Sequence, residues 1–411
     1  MREPQLPQVV RWPGLVPGPP EQLYQLLTFA LQQQLPVAVW RLPGTARPQL
    51  CLSLSADAAL AGLPPALSPD SPAGFAFFPF RDSDQNPALF LPGDIYWNAQ
   101  QPDQLHLDVA DSRASQLLAF LATEHTEPGT PLPWHLSPLP LPHTAAQDEY
   151  FALVETGVAA IRSGQVMKVV SSRAARRPLP AGFEVVRAFG ELCQRYPQAF
   201  VSLVSAPGAG TWLGASPEVL AEIDADGIFR TMALAGTQPV APGALPHHAI
   251  WRQKEIEEQA LVARYIVNCF KQLRLREYDE TGPRTVVAGQ LLHLRTDFAV
   301  NLRQVPFPTL GTDMLRLLHP TSAVGGMPKQ AALHFLREHE GYDRAYYSGF
   351  LGPVNLPQTG VSRLYVNLRC LQLRPGEAIL YAGTGLTTDS DPAREWQETE
   401  MKLTTIGTIL R

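Results

Sequence analysis

Apolar positions recur with two different periods along the chain, and the changes of period mark out its elements. Early on, Glu21 to Gln33 reads as a Gln/Leu helix, and Pro36 to Leu42 and Gln49 to Leu54 read as short strands. Asp148 to Arg162 has helical spacing and stops at Gly164. Gln165 to Ala174 alternates as a strand, and further strand-like runs fill Phe200 to Ala235. Gln253 to Leu273 is a long helix whose apolar stripe runs through Val262, Ile266, Cys269 and Leu273. Thr285 to Leu302 is mostly strand, and short helices are expected near 311–318 and 328–339. Strand runs follow at Tyr346 to Val354, Val361 to Leu373 and Ala378 to Leu386, then a final helix over 392–410. Strands joined by short turns, with helices between groups of them, predict an α+β fold with antiparallel sheets.

Composition narrows the class. The 411 residues are 45% apolar and 17% charged, so there is material for a large core and no sign of a disordered chain. Proline is abundant, and two Pro-rich stretches, 1–20 and 127–143, punctuate the chain; the second reads as a connector. The balance of 33 basic and 38 acidic residues leaves −5, with no overall pull toward nucleic acid or an anionic membrane. Cys51, Cys193, Cys269 and Cys370 are far apart and form no CxxC pair, which points to reduced thiols and away from a zinc ribbon. No apolar run of membrane-spanning length and no signal peptide are visible, so a soluble, cytoplasmic protein is expected. Phosphate-loop, dinucleotide and GxSxG patterns are missing from the sequence.

Several residues break their local pattern. Lys168 shares a strand face with Val166 and Val170. A buried ammonium there is costly unless paired or functional, as in a general base; a lysine snorkelling at a sheet edge is the plainer alternative. Tyr365, Asn367 and Arg369 form a polar row on a strand spanning Leu364 to Leu371, either a cleft floor or a solvated face. Glu258 extends the buried stripe of its helix toward the N-terminus, as a ligand or simply as an anion favoured by the helix dipole. Glu395, Glu398 and Lys402 share a helical face, and two carboxylates one turn apart suit a hard divalent cation or an exposed Glu/Lys ladder. Glu218 follows a Gly/Pro turn, and the small-residue turns 233–237 and 381–385 offer backbone N–H groups to an anion. His319 precedes Pro320, with a structural or a catalytic role open.

In order along the chain, these fragments resemble the chorismate-binding enzymes: isochorismate synthases, salicylate synthases, and component I of anthranilate and aminodeoxychorismate synthases. The matching pieces are LysValValSerSerArg (168–173), GlyAlaSerProGlu (214–218), AlaLeuAlaGlyThr (233–237), LysGluIleGluGluGln (254–259), HisLeuArgThr (293–296), HisProThrSerAlaValGlyGlyMetProLys (319–329), TyrTyrSerGlyPheLeuGly (346–352), AlaGlyThrGlyLeu (382–386) and the run 390–403. The resemblance implies large antiparallel sheets packed as a sandwich with helices outside. It covers 148–411 as the catalytic domain, with 1–147 expected to complete the same fold. It also implies one Mg²⁺ held by Glu258, Glu398 and, directly or through water, Glu395. Arg369, Tyr347, Lys402 and the backbone at Gly385 would serve the substrate carboxylates, with Gly236, Thr237, His319 and Ala323 as further contacts. Lys168 would be the general base and Glu218 the general acid.

The nucleophile decides among family members. Lysine at 168 suits activation of water, which adds at C2 while Glu218 protonates the departing C4 hydroxyl. Ammonia-using anthranilate enzymes look different there, typically with Gln. Aminodeoxychorismate enzymes resemble a pattern with a nucleophilic lysine where this chain has Ala235, and salicylate synthases tend to carry Thr near Ala323. The expectation is an isochorismate synthase (an isomerase) feeding menaquinone or siderophore formation, menaquinone first, with no obligatory amidotransferase partner. Salicylate synthase, or an ammonia-dependent component I with a glutaminase, is the alternative. Departures from the family are Gln259 in place of His, Met232 in place of Glu, and Gln238, Val240 and Ala241 in place of a basic motif.

Overall fold

The computed structural model describes residues 8–13, 16–56, 65–107, 111–240, 249–288 and 291–411. Ala241 lies outside these residues. Two antiparallel sheets organise the chain. One has 11 strands in the spatial order Gln8–Arg11, Gln104–Leu107, Ile95–Asn98, Gln49–Leu52, Val37–Arg41, Phe200–Ala206, Gly210–Ser216, Cys370–Arg374, Glu377–Leu386, Lys168–Pro178 and Gly326–Met327. The other has 8, in the order Asp279–Ala288, Leu291–Asn301, Ile228–Pro239, Val219–Ile223, Ser362–Val366, Phe350–Val354, Gly74–Phe78 and Leu89–Pro92. Strands from before residue 108 sit in both sheets: Val37–Arg41 pairs with Phe200–Ala206, and Gly74–Phe78 with Phe350–Val354.

The alternation of side chains explains the layering. On Val37–Arg41, Ala38 and Trp40 face the second sheet, where Trp40 meets Phe75 with centroids 5.1 Å apart, while Val37 and Val39 face outward onto helices. Phe200 stacks on Tyr365 at 4.1 Å and Phe77 meets Trp212 at 6.2 Å across the same gap. The layer between the sheets is therefore largely aromatic. Outside the first sheet pack Pro19–Gln32, Ser112–Thr123, Val185–Arg195 and Pro392–Gly407; outside the second pack Gln253–Gln272 and Leu310–Leu318. This is the expected α+β sandwich with helices on its outer faces.

One expected element divides. Val361 to Leu373 is two strands, Ser362–Val366 in the second sheet and Cys370–Arg374 in the first. Between them the chain crosses the gap, and Arg369 takes a left-handed conformation at φ 49°. Tyr365 and Arg369 consequently belong to no common strand face; Tyr365 lies in the aromatic layer.

Candidate active site

Two crossings between the sheets build the pocket. Gly210–Ser216 leaves the first sheet, turns at Pro217 and Glu218, and continues in the second as Val219–Ile223. The crossing at 367–369 runs the other way, and the two are stitched together by Val366 N donating to Glu218 O at 3.0 Å and Ala215 N donating to Arg369 O at 3.1 Å. Glu218 and Arg369 thus enter the gap where sheet pairing stops. A register shift between Ala235 and Gln238 opens the neighbouring strand, and Gly236 N donates to Glu258 Oε2 at 3.3 Å.

The resulting cavity of about 80 Å³ is lined by Glu218, Ala235, Gly236, Thr237, Glu258, Ala323, Tyr347, Arg369, Gly385 and Lys402 among others. Lys168 lies just behind this wall. It is fully buried, and its Nζ stands 3.0 Å from Glu258 Oε1. Gly385 is what allows the approach: a Cβ there would stand 2.4 Å from Glu258 Oε1 and 3.1 Å from Lys168 Cε. Lys402 donates to Gly383 O at 2.8 Å and pairs with Glu398 at 2.7 Å. The guanidinium of Arg369 forms no hydrogen bond or ion pair with any described residue, which leaves its fork free for an anion.

Two buried carboxyls are driven in opposite directions. Burial pushes Glu218 up to about 8, although Lys168, Arg369 and Lys402 pull against it. Glu258 is held below the usual carboxylate range: burial opposes this, but Lys168, then Lys402 and Lys254, outweigh it. These surroundings favour the acid form of Glu218 at neutral pH and, beside Lys168, the carboxylate form of Glu258.

His319 is not brought into this pocket. Its Nε2 donates to Pro79 O at 3.1 Å and its ring packs edge-on against Phe350 at 4.8 Å, behind the helix end it caps. Burial pushes it down to about 3, so it is a neutral packing group. The imidazole that does line the cavity is His293, which sequence reasoning left inside a quoted fragment without a role. Its Nδ1 donates to Gly236 O at 2.8 Å, its Nε2 is buried without a partner, and burial holds it neutral, at about 3. The strand pattern could have found it: His293 falls opposite Thr237 at the register shift, in an otherwise apolar run. Gln259 turns away, donating to Ala233 O and Thr296 Oγ1 at 3.2 and 3.0 Å, so it serves packing between its helix and the second sheet.

Glu395 and Glu398 lie next to the cavity on Pro392–Gly407 and do not line it. Among the described residues, no three acidic, His or Cys side chains stand together as a ready ligand set. Each carboxylate is met by its own lysine: Glu258 by Lys168, Glu398 by Lys402, and Glu395 by Lys254 at 2.5 Å. The donors nevertheless fit a hard divalent cation. They are carboxylate oxygens from two helices, and Glu395, 1% exposed, keeps Oε2 buried and unpartnered.

A family model for chorismate binding enzymes matches residues 96–411. The chain belongs to the chorismate-binding enzymes. It is 34% identical over 271 residues to a salicylate biosynthesis isochorismate synthase of Pseudomonas aeruginosa, covering 64% of this chain and 54% of that protein. It is 29% identical over 310 residues to the isochorismate synthase MenF of Escherichia coli, covering 73% and 68%. The match to the first of these spans about half of the relative's length. In fold, the chain aligns over 100% of its length with the structure of MenF from Escherichia coli, covering 96% of that chain, at a TM-score of 0.73 and 22% identity. Anthranilate synthase component I from Streptococcus pneumoniae aligns at a TM-score of 0.64 and 20% identity, covering 92% of this chain and 90% of that one. No helix among the described residues is long and apolar enough to cross a membrane.

Proposed function

We propose that this protein is a Mg²⁺-dependent isochorismate synthase, acting in the cytoplasm on free chorismate with water as co-substrate and supplying menaquinone formation. The carrying observation is the arrangement about one cavity: Glu218, which burial pushes up to about 8, lines it, and Lys168 is enclosed just behind its wall, 3.0 Å from Glu258. In this reading Lys168 reacts as the neutral amine, its ammonium having first released a proton to solvent, and takes a proton from the water that adds at C2. Glu218 gives its proton to the C4 hydroxyl, which departs as water while the ring double bond shifts, so one water enters and one leaves. Arg369 and Lys402 bind substrate carboxylates as cations, and Tyr347, stacked on Tyr381 at 5.3 Å, fixes the adjoining wall. The unpartnered Nε2 of His293 accepts a hydrogen bond from a substrate hydroxyl. Glu258, Glu395 and Glu398 hold Mg²⁺, which when bound supplies positive charge to a substrate carboxylate.

Ala235 and Ala323, both at the cavity wall, support water addition without an enzyme-bound amine and release of the product with its enolpyruvyl group retained. The test is product analysis: purified protein, chorismate and MgCl₂ without ammonia should yield isochorismate. Salicylate with pyruvate as the product, or a requirement for ammonia or a glutaminase subunit, would replace the reading. Loss of menaquinone on deletion of the gene checks the pathway.

A further inference from the structure

Of the three lysines that meet the acidic residues of the site, Lys168 and Lys402 have a place in the proposed reaction and Lys254 has none. Lys254 stands one turn before Glu258 on the helix Gln253–Gln272 and reaches across to the helix Pro392–Gly407, with Nζ 2.5 Å from Glu395 Oε1. Glu395 is buried, and its second oxygen has no partner among the described residues. Glu398 and Glu258 also act on the charge of Lys254, so one ammonium feels carboxylates from both helices.

We propose that Lys254 is a tethered counter-ion of the cation site: it holds Glu395 while the divalent cation is absent, and has to be displaced when the cation binds. This rests on the Mg²⁺ reading above. Glu395 and its neighbour Glu398 repel one another, and leaving the buried Glu395 uncompensated is costly. An ammonium on a flexible stem neutralises them in a form that can withdraw. A divalent cation then competes with Lys254 for the Glu395 oxygen, so removing the ammonium strengthens the metal site and weakens the metal-free fold. A lysine acting as an ordinary surface ion pair would leave metal affinity unchanged.

The experiment is calorimetric titration of the metal-free, full-length protein with MgCl₂ alone, comparing the parent, Lys254→Met and Lys254→Arg. The Met variant should bind Mg²⁺ about tenfold more tightly, and the Arg variant, which keeps the charge, should stay within about threefold of the parent. In chelator the Met variant should melt below the parent, and saturating MgCl₂ should raise its melting temperature by more than it raises the parent's. Equal or weaker binding by the Met variant overturns the counter-ion role while leaving the Mg²⁺ reading intact. A parent protein that binds no Mg²⁺ overturns both. Should the Met variant fail to fold, Lys254→Gln takes its place with the same expectations.

Discussion

Glu218 and Glu258 both place carboxyls at the wall of one cavity, yet their surroundings drive them in opposite directions, Glu218 up to about 8 and Glu258 below the usual carboxylate range. Glu218 comes from a sheet crossing and no hydrogen-bond donor is directed at its carboxyl by a described residue, so dehydration governs it. Glu258 comes from a helix, accepts from Gly236 N and has Lys168 at 3.0 Å, so its charge is compensated. The same side chain becomes an acid or an anchor according to whether a cation stands in contact with it or further off. A pocket with both at its walls can deliver a proton at one side and bind positive charge at the other.

The sharpest way to break this comparison is to remove the two proposed proton-transfer groups, Lys168 and Glu218, one at a time. Lys168→Ala and Glu218→Gln should each lower kcat about 100- to 10,000-fold, the range for a positioned acid or base. Chorismate affinity should stay within an order of magnitude for Lys168→Ala, because Arg369 and Lys402 are untouched. Steady-state kinetics with direct ligand titration would show it. A loss of binding that matches the loss of turnover would make Lys168 a substrate anchor.

A smaller effect comes from pH alone. With Glu218 raised to about 8, its acid form dominates at neutral pH and is lost as pH climbs through that value. The proton donor disappears, so kcat should fall roughly tenfold per pH unit above about 8. The residual activity of Glu218→Gln should lack this limb. A parent profile flat from pH 7 to 9.5 would mean that another group protonates the leaving hydroxyl.

Local pattern made much of this legible. Period changes located most helices and strands of the C-terminal part, and Lys168, Glu218 and Glu258 stood out because each places a charge where its neighbours are apolar. What did not show was where strands change sheet. Leu364 to Leu371 alternates smoothly in sequence, and only the packing of two sheets reveals that the chain leaves one at Val366 and joins the other at Cys370. The strands Gly74–Phe78 and Leu89–Pro92 were missed for a related reason: they are buried on both faces or nearly so, and such strands lack alternation. The lysine partners of the carboxylates were hidden as well, since Lys254 and Glu395 are 141 positions apart.

The two histidines give the finest discrimination, because a sequence motif favours one and the geometry favours the other. His319 sits in the matched run before Pro320, but its imidazole is spent on Pro79 O and on the ring of Phe350. His293 lines the cavity and keeps a buried Nε2 without a partner. His319→Gln should therefore cost stability, about 1–3 kcal/mol for a buried donor and its packing, while kcat/KM at a temperature well below the transition changes less than about threefold. Denaturant melts and initial rates on the same preparation measure both. If His319→Gln instead keeps its stability and loses turnover, the imidazole is reaching the substrate from behind the helix end, and the division of the wall between Glu218 and Glu258 would need a third participant.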